Sequence, residues 1–265
     1  MQGPRRGQGK PARSPGRLSA TGGVSVVVPA YNVEDFVGEA LASIQVQTRP
    51  VTEILVVDDG STDRTAARLA VVAAKDGRIR LLGCDHRGPS AARNIALAAA
   101  TQPVIAFLDG DDVWPREKIA QQMQRLAAKD RPDVVSGHIR RFLRLDPATL
   151  MPAPSRFADM AHVNLGACLF RREVFEAIGP FDERLNFCED VDLMFRVRER
   201  GLKLAIMREI TLYYRIRPGS LIQTREGQVQ QKRAAMAALR LTIGRRRRGG
   251  NQAGALPAFT SLIDK

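Results

Sequence analysis

The 265-residue chain predicts an α/β fold on a mostly parallel, doubly wound sheet. Over its first half, short and nearly continuous β-branched runs alternate with segments of helical periodicity, the pattern of a parallel sheet with helices on both faces. The apolar runs carry no alternation of polar residues, as expected for strands covered on both sides. Length and a hydrophobic content of 44% suit one large globular domain or one with a small appendage.

The elements follow in order. "VSVVVP" at 24–29 reads as the first strand. Residues 33–47 place Val33, Phe36, Val37, Ala40, Leu41 and Ile44 at a helical period. "EILVVDDG" at 53–60 is a second buried strand, with a helix over 62–74. A third strand at 79–84 and a helix over 89–100 follow, then a strand at 104–108 and a helix over 116–129, with Pro115 suited to a first helical position. Beyond Pro132 the alternation loosens. An extended segment is expected at 133–142, a proline-containing loop at 146–160 and a strand at 163–170. Short helices are expected at 172–178 and 189–200, a strand or strand pair at 202–214, and a basic-faced helix at 221–243.

The formal charge of +13 is unevenly placed. Residues 1–22 carry +5 and residues 240–265 carry +5, which leaves +3 on the body. The densest run, Arg245–Arg248, reads as solvated and flexible, a tail able to touch anionic lipid. The body has no basic face interleaved with aromatics, so no nucleic-acid partner is expected. No stretch of about 18 apolar residues occurs, and the basic, Gly/Pro-rich start has no apolar leader segment. Cys84, Cys168 and Cys188 form no CxxC pair, consistent with reduced core residues. A cytoplasmic protein is expected, in peripheral contact at most with the inner face of the plasma membrane through its basic tails.

Ligands of such sheets gather beyond the carboxyl ends of the strands, which singles out "PAYN" at 29–32, "DDGSTD" at 58–63 and "DGDD" at 109–112. Asp109, Asp111 and Asp112 crowd one turn, and two like charges at about 4 Å cost roughly 1 kcal/mol in water and about 4 near a protein surface. A turn at Gly110 with Asp112 capping the next helix accounts for part of this. The competing answer is a divalent cation held by oxygen ligands, which would remove the repulsion outright. Asp58 leaves its strand where a carboxylate can accept from a base or ribose, while Asp59 to Asp63 suit a turn and cap. Glu189, Asp190 and Asp192 start a helix, where the macrodipole favours acids. One carboxylate beyond the need of a cap suggests a general base. No GxGxxG occurs, which disfavours hydride transfer on a dinucleotide.

The set "VSVVVPAYN", "EILVVDDGSTDRT", "GPSAARNIAL", "VIAFLDGDDVW", "IGPFDERLNFCEDVDLMFRV" and "YYRIRPGS" resembles the family 2 inverting glycosyltransferases. Their GT-A fold joins a Rossmann-like, nucleotide-sugar-binding half to a smaller acceptor-side half. The resemblance implies a glycosyltransferase domain over 23–220, to which composition and charge add a basic disordered tail over 1–22, a C-terminal helix over 221–244 and a flexible tail over 245–265. It places Pro29, Ala30 and Tyr31 at the nucleotide base, Tyr31 by stacking, and Asp58 in a hydrogen bond to that base. Asp109 and Asp111 form the DxD element, with Asp111 the ligand of Mn²⁺ or Mg²⁺ and Asp109 on sugar or ribose. Arg93 lies near the donor, Asp190 is the catalytic base and Glu189 is its neighbour at the acceptor site. Two positions depart from the family pattern: Arg87 precedes Gly88 where Asn is frequent, and Arg217 replaces a His found near the diphosphate.

The resemblance implies transfer of a sugar from a nucleotide-diphosphate donor, a UDP-sugar foremost, to a glycan or lipid-linked glycan hydroxyl, in polysaccharide or cell-envelope glycan synthesis. Two other readings compete. A sugar-phosphate nucleotidyltransferase would need a Gly-rich basic loop after its first strand, yet "PAYNVEDF" is acidic and lacks glycine. A non-catalytic basic scaffold at a membrane or nucleic acid leaves the carboxylate clusters unexplained. Trp114 either packs beneath an acceptor sugar or anchors the core. His86, His138 and His162 have no metal-ligand spacing.

Overall fold

Four valines drive Val24–Ala30 (β1) into the centre of the sheet, where all but Pro29 are buried. In this computed structural model, residues 22–153, 157–161, 164–185, 187–217 and 225–248 are described. The tails expected at the two ends lie outside these residues, up to residue 21 and from residue 249.

After β1 come α1 (Val37–Gln45), β2 (Glu53–Asp58), α2 (Thr65–Ala73), β3 (Ile79–Gly83), α3 (Pro89–Ala99), β4 (Val104–Phe107) and α4 (Lys118–Leu126). There follow β5 (Val134–Phe142), the two-residue strands β6 (Leu145–Asp146), β7 (Met151–Pro152) and β8 (Met160–Ala161), then β9 (Leu169–Arg171), α5 (Arg172–Ile178), α6 (Glu189–Glu199), β10 (Leu204–Arg215) and α7 (Arg225–Arg248). The sheet order is β10-β5-β9-β4-β1-β2-β3. β1 pairs parallel with both β2 and β4. The chain winds outward through β2 and β3, then returns to start again at β4. The reversal falls between β1 and β4, where the crevice of such sheets opens.

Both faces are covered. Val26, Val28, Ile54 and Val56 pack with Leu41, Ile44, Leu69 and Ile119 on one side. Val27, Leu55, Val57 and Phe107 pack with Ala92, Ala96, Leu193 and Val197 on the other. Alternate residues of one strand thus enter different cores, which explains the unbroken apolar runs.

Three expectations are corrected, and one that was open is resolved. The helix expected from residue 116 begins at Lys118, and no side chain caps it. The strand expected at 163–170 is a 3₁₀ turn over Leu165–Ala167, because the Asn164 side chain accepts the Gly166 N–H at 2.7 Å. β9 follows, and it runs antiparallel to both β4 and β5. The segment 202–214 resolves as one strand, β10, with irregular register around Ile210. The C-terminal helix α7 continues through Arg248, and Arg245 is paired with Asp192 and Glu199 rather than solvated.

Candidate active site

The ends of β1, β2 and β4 carry the polar clusters into one crevice. The "PAYN" and "DDGSTD" turns are laced together: Ser61 Oγ accepts the Asn32 N–H at 3.1 Å, and Asn32 Oδ1 accepts the Thr62 N–H at 2.8 Å. Asp58 is half-buried and accepts the Ser61 N–H at 3.1 Å. Pro29 and Ala30 close the end of β1. A Cβ on Gly110 would come within 3.0 Å of Val33 Cγ2 and 3.3 Å of the Pro29 carbonyl, so a glycine there lets the aspartate turn pack against the β1 end. Tyr31 is exposed, and the His86 ring stacks on it with centroids 4.0 Å apart.

Arginines answer the crowding of acids. The buried Arg93 of α3 donates to Asp109 Oδ1 and Glu189 Oε1, both at 2.6 Å. Burial works against its charge, but Asp109 and Glu189 outweigh it and hold the guanidinium above its ordinary pKa. Arg217 pairs with Asp111 Oδ2 at 2.7 Å. The buried Arg215 donates its backbone N–H to Asp112 Oδ1 at 2.8 Å and its Nε to the Asp111 carbonyl at 2.7 Å, and its guanidinium reaches Glu39. Asp112 is therefore tied to the end of β10 and does not cap a helix. Burial raises the Asp111 and Asp112 carboxyls, Asp112 the more because Asp111 and Asp109 face it.

Asp190 stands in the first turn of α6 beside Glu189, where Cys188 enters with a left-handed φ of 60°. Its Oδ1 accepts the Val191 N–H at 2.7 Å. Burial, and then the Glu189 charge, push its pKa up to about 7, against the pull of Arg93. A carboxylate poised there can hold a proton near neutrality, which suits a general base.

The structure brings Arg93, Asp109 and Glu189 into one hydrogen-bonded unit, with Asp190 next to it and Asp111 two residues from Asp109. Trp114 is corrected. It is 1% exposed, donates Nε1–H to the Gly166 carbonyl at 2.9 Å and lies under the Lys118 ammonium, so it anchors the core and presents no ring to an acceptor. Two participants escaped the sequence reading. Asp59, assigned there to the turn, is buried and accepts the N–H groups of Arg87 (2.7 Å) and Gly88 (2.9 Å), which shapes the β3–α3 loop. Arg215 is the second; its signal was an Arg closing the buried end of a strand, after Tyr213 and Tyr214.

Among the described residues, no three His, Cys, Asp or Glu side chains converge to hold a metal. Asp111 has one oxygen on Arg217, which leaves its carboxylate able to give a single ligand. That donor set fits a hard cation of the Mg²⁺ type, which takes one or two carboxylates and completes its shell with substrate phosphates and water.

Residues 25–179 match the family described as Glycosyl transferase family 2. The chain belongs to that family. Among its relatives, the uncharacterized glycosyltransferase EpsJ of Bacillus subtilis is 30% identical over 217 residues, 76% of this chain and 63% of EpsJ. WfgD of Escherichia coli, a UDP-Glc:alpha-D-GlcNAc-diphosphoundecaprenol beta-1,3-glucosyltransferase, is 39% identical over 104 residues, 39% of this chain and 40% of WfgD. The mannosyltransferase PcManGT from Pyrobaculum calidifontis, solved with GDP-Man and Mn²⁺, superposes with a TM-score of 0.64 at 20% identity, covering 88% of this chain and 65% of that one. This likeness shows the GT-A fold. The chain spans less than two thirds of the length of each of these three proteins.

Proposed function

We propose that the chain transfers a sugar from a nucleotide-diphosphate donor to an acceptor hydroxyl, with inversion at the anomeric carbon, in polysaccharide or glycolipid synthesis. The observation that carries this is the Arg93 bridge, which sets the β4 aspartate turn against the acidic start of α6. A donor side and an acceptor side then meet at one crevice. A UDP-sugar donor and a lipid-linked acceptor have support in the name of WfgD, and a divalent cation in the Mn²⁺ of PcManGT.

Each residue has a defined task. Tyr31, with Pro29 and Ala30, borders the base, and Asp58 accepts a hydrogen bond from it. Asp109, fixed by Arg93, takes a hydroxyl of the ribose or sugar. Arg217 is placed beside Asp111 to donate to the diphosphate, where a guanidinium binds two oxygens at once. Asp111 would hold Mn²⁺ or Mg²⁺, which when bound supplies Lewis-acid neutralisation of the leaving diphosphate. Asp190 accepts the proton of the acceptor hydroxyl as the new bond from that oxygen to the anomeric carbon forms. The bond from that carbon to the diphosphate oxygen breaks on the opposite face, and the nucleotide diphosphate leaves with the electron pair.

The test is release of nucleotide diphosphate from UDP-, GDP- and dTDP-sugars, each with and without Mn²⁺. Metal-dependent turnover of one donor class, raised by an added acceptor, is the expected result. No turnover of any donor in either condition would remove the reading.

A further inference from the structure

α7 packs against α6 through one side only. Ala238 and Thr242 are buried there, and Arg245 donates to Asp192 Oδ1 at 2.9 Å and Glu199 Oε2 at 3.0 Å. On the far side no described residue covers Val229, Met236, Leu239 or Ile243, each at least 41% exposed. Val229, Met236 and Ile243 recur every seven residues, so they drift by only about 40° around the helix. Lys232, Arg233 and Arg240 are exposed on the same side. The helix ends on Arg245–Arg248, and residues 1–22 carry a further +5.

A second copy of the chain is a poor fit for this face. A coiled-coil seam needs apolar residues three or four positions after each first contact. Those positions hold Lys232 and Arg233 in the first heptad, and Leu239 beside Arg240 in the second. Two such faces would oppose like charges. A surface that offers apolar depth and negative charge together satisfies both features: the aliphatic residues enter the headgroup boundary while the basic side chains reach the phosphates. Among the described residues no helix is long and apolar enough to cross a membrane, so the contact is one of lying on the surface.

We propose that this face of α7 docks on an anionic phospholipid bilayer. Asp192, which Arg245 grips, shares the first turn of α6 with Glu189 and Asp190. A docked α7 therefore holds the acceptor side of the crevice next to the bilayer, where a lipid-borne acceptor resides. The purpose of the docking rests on the transferase reading above; its detection does not.

The test is co-sedimentation of the full chain with vesicles of phosphatidylcholine alone and of phosphatidylcholine mixed with phosphatidylglycerol. The wild type should pellet only with the anionic vesicles. Met236→Glu with Ile243→Glu should weaken binding by about tenfold or more, and Lys232→Glu with Arg233→Glu and Arg240→Glu by about a hundredfold or more, at about fivefold per basic residue near the surface. Both variants should keep the helical circular dichroism and the donor-hydrolysis rate of the wild type. Three results overturn the proposal: a wild type that ignores both vesicles, variants that bind as the wild type does because the tails alone suffice, or a wild-type dimer that Met236→Glu with Ile243→Glu makes monomeric. Loss of the transferase reading would show separately, as absent donor turnover in a protein that still binds vesicles.

Discussion

Asp190 meets two opposed demands. Burial beside Glu189 raises its pKa to about 7, which keeps the proton affinity a base needs and makes the ionised form costly to the fold. The folded state binds more protons than the unfolded one between the ordinary carboxyl range and pH 7, so stability falls as pH rises through that window. Asp190→Asn should therefore raise Tm at pH 8 while transfer drops by about 10²–10⁴-fold. In the wild type, kcat/KM should fall as pH drops below about 7, where Asp190 is protonated. An Asn variant with normal transfer would sink the assignment. Arg217 acts on the other side of the crevice. It occupies one Asp111 oxygen, so without donor it competes for the oxygen a cation needs. Arg217→Ala should tighten Mn²⁺ binding to the donor-free protein by at least about tenfold, the worth of one charged hydrogen bond, as read from the free-Mn²⁺ paramagnetic resonance signal. The same variant should bind nucleoside diphosphate more weakly. An unchanged Mn²⁺ affinity would mean that the ion pair places no restraint on Asp111.

At the scale of elements, α4 shows how the aspartate turn is held from behind. Its first residue, Lys118, is fully buried, with Nζ donating to Gln122 Oε1 at 2.6 Å and the Cys168 carbonyl at 3.2 Å, and set 4.3 Å above the Trp114 ring. Gln122 in turn donates to the Val135 and Ala167 carbonyls. This polar column joins α4, β5 and the 3₁₀ turn behind the "DGDDVW" segment. Burial lowers the Lys118 pKa to about 7, whereas the unfolded chain keeps its lysine protonated to about 10.4. Between those values the unfolded state binds the extra proton, so stability rises with pH. The two acceptors and the ring face favour the ammonium, which narrows that window, and within it one proton gives a slope of at most about 1.4 kcal/mol per pH unit. Lys118→Met should abolish that climb in urea unfolding at pH 7 and pH 9. It should also lose about 1–3 kcal/mol for each acceptor left unpaired. A variant with the wild-type pH slope would place the titration elsewhere.

Over the whole molecule, what was legible in the sequence followed from how locally each feature is specified. β1, β2 and β4 could be read because a strand buried on both faces is a continuous apolar run, and the crevice followed from their order. β9 could not, since three residues after a 3₁₀ turn carry no period and their antiparallel pairing is set by β4 and β5. The acids of the site were visible as clusters, but their partners were not: Arg93 lies 16 residues from Asp109 and 96 from Glu189, and Arg215 lies 104 from Asp111. Trp114 looked the same in sequence whether facing ligand or core, and only the Gly166 carbonyl decides it. The same long reach sets how a donor should act on the fold. It would contact turns from β1 and β2 on one side of the switch point and from β4 on the other, clamping the two sides together. Binding to the folded state alone stabilises by about 2.7 kcal/mol at 100 times the dissociation constant, or roughly 5–10 °C in Tm for a domain of this size. The correct nucleotide sugar with Mn²⁺ should give that shift, and Asp58→Ala should diminish it for every sugar carried by the same base. A shift of equal size from inorganic pyrophosphate alone would show that the crevice reads only phosphate, and the base-side roles of Tyr31 and Asp58 would fall.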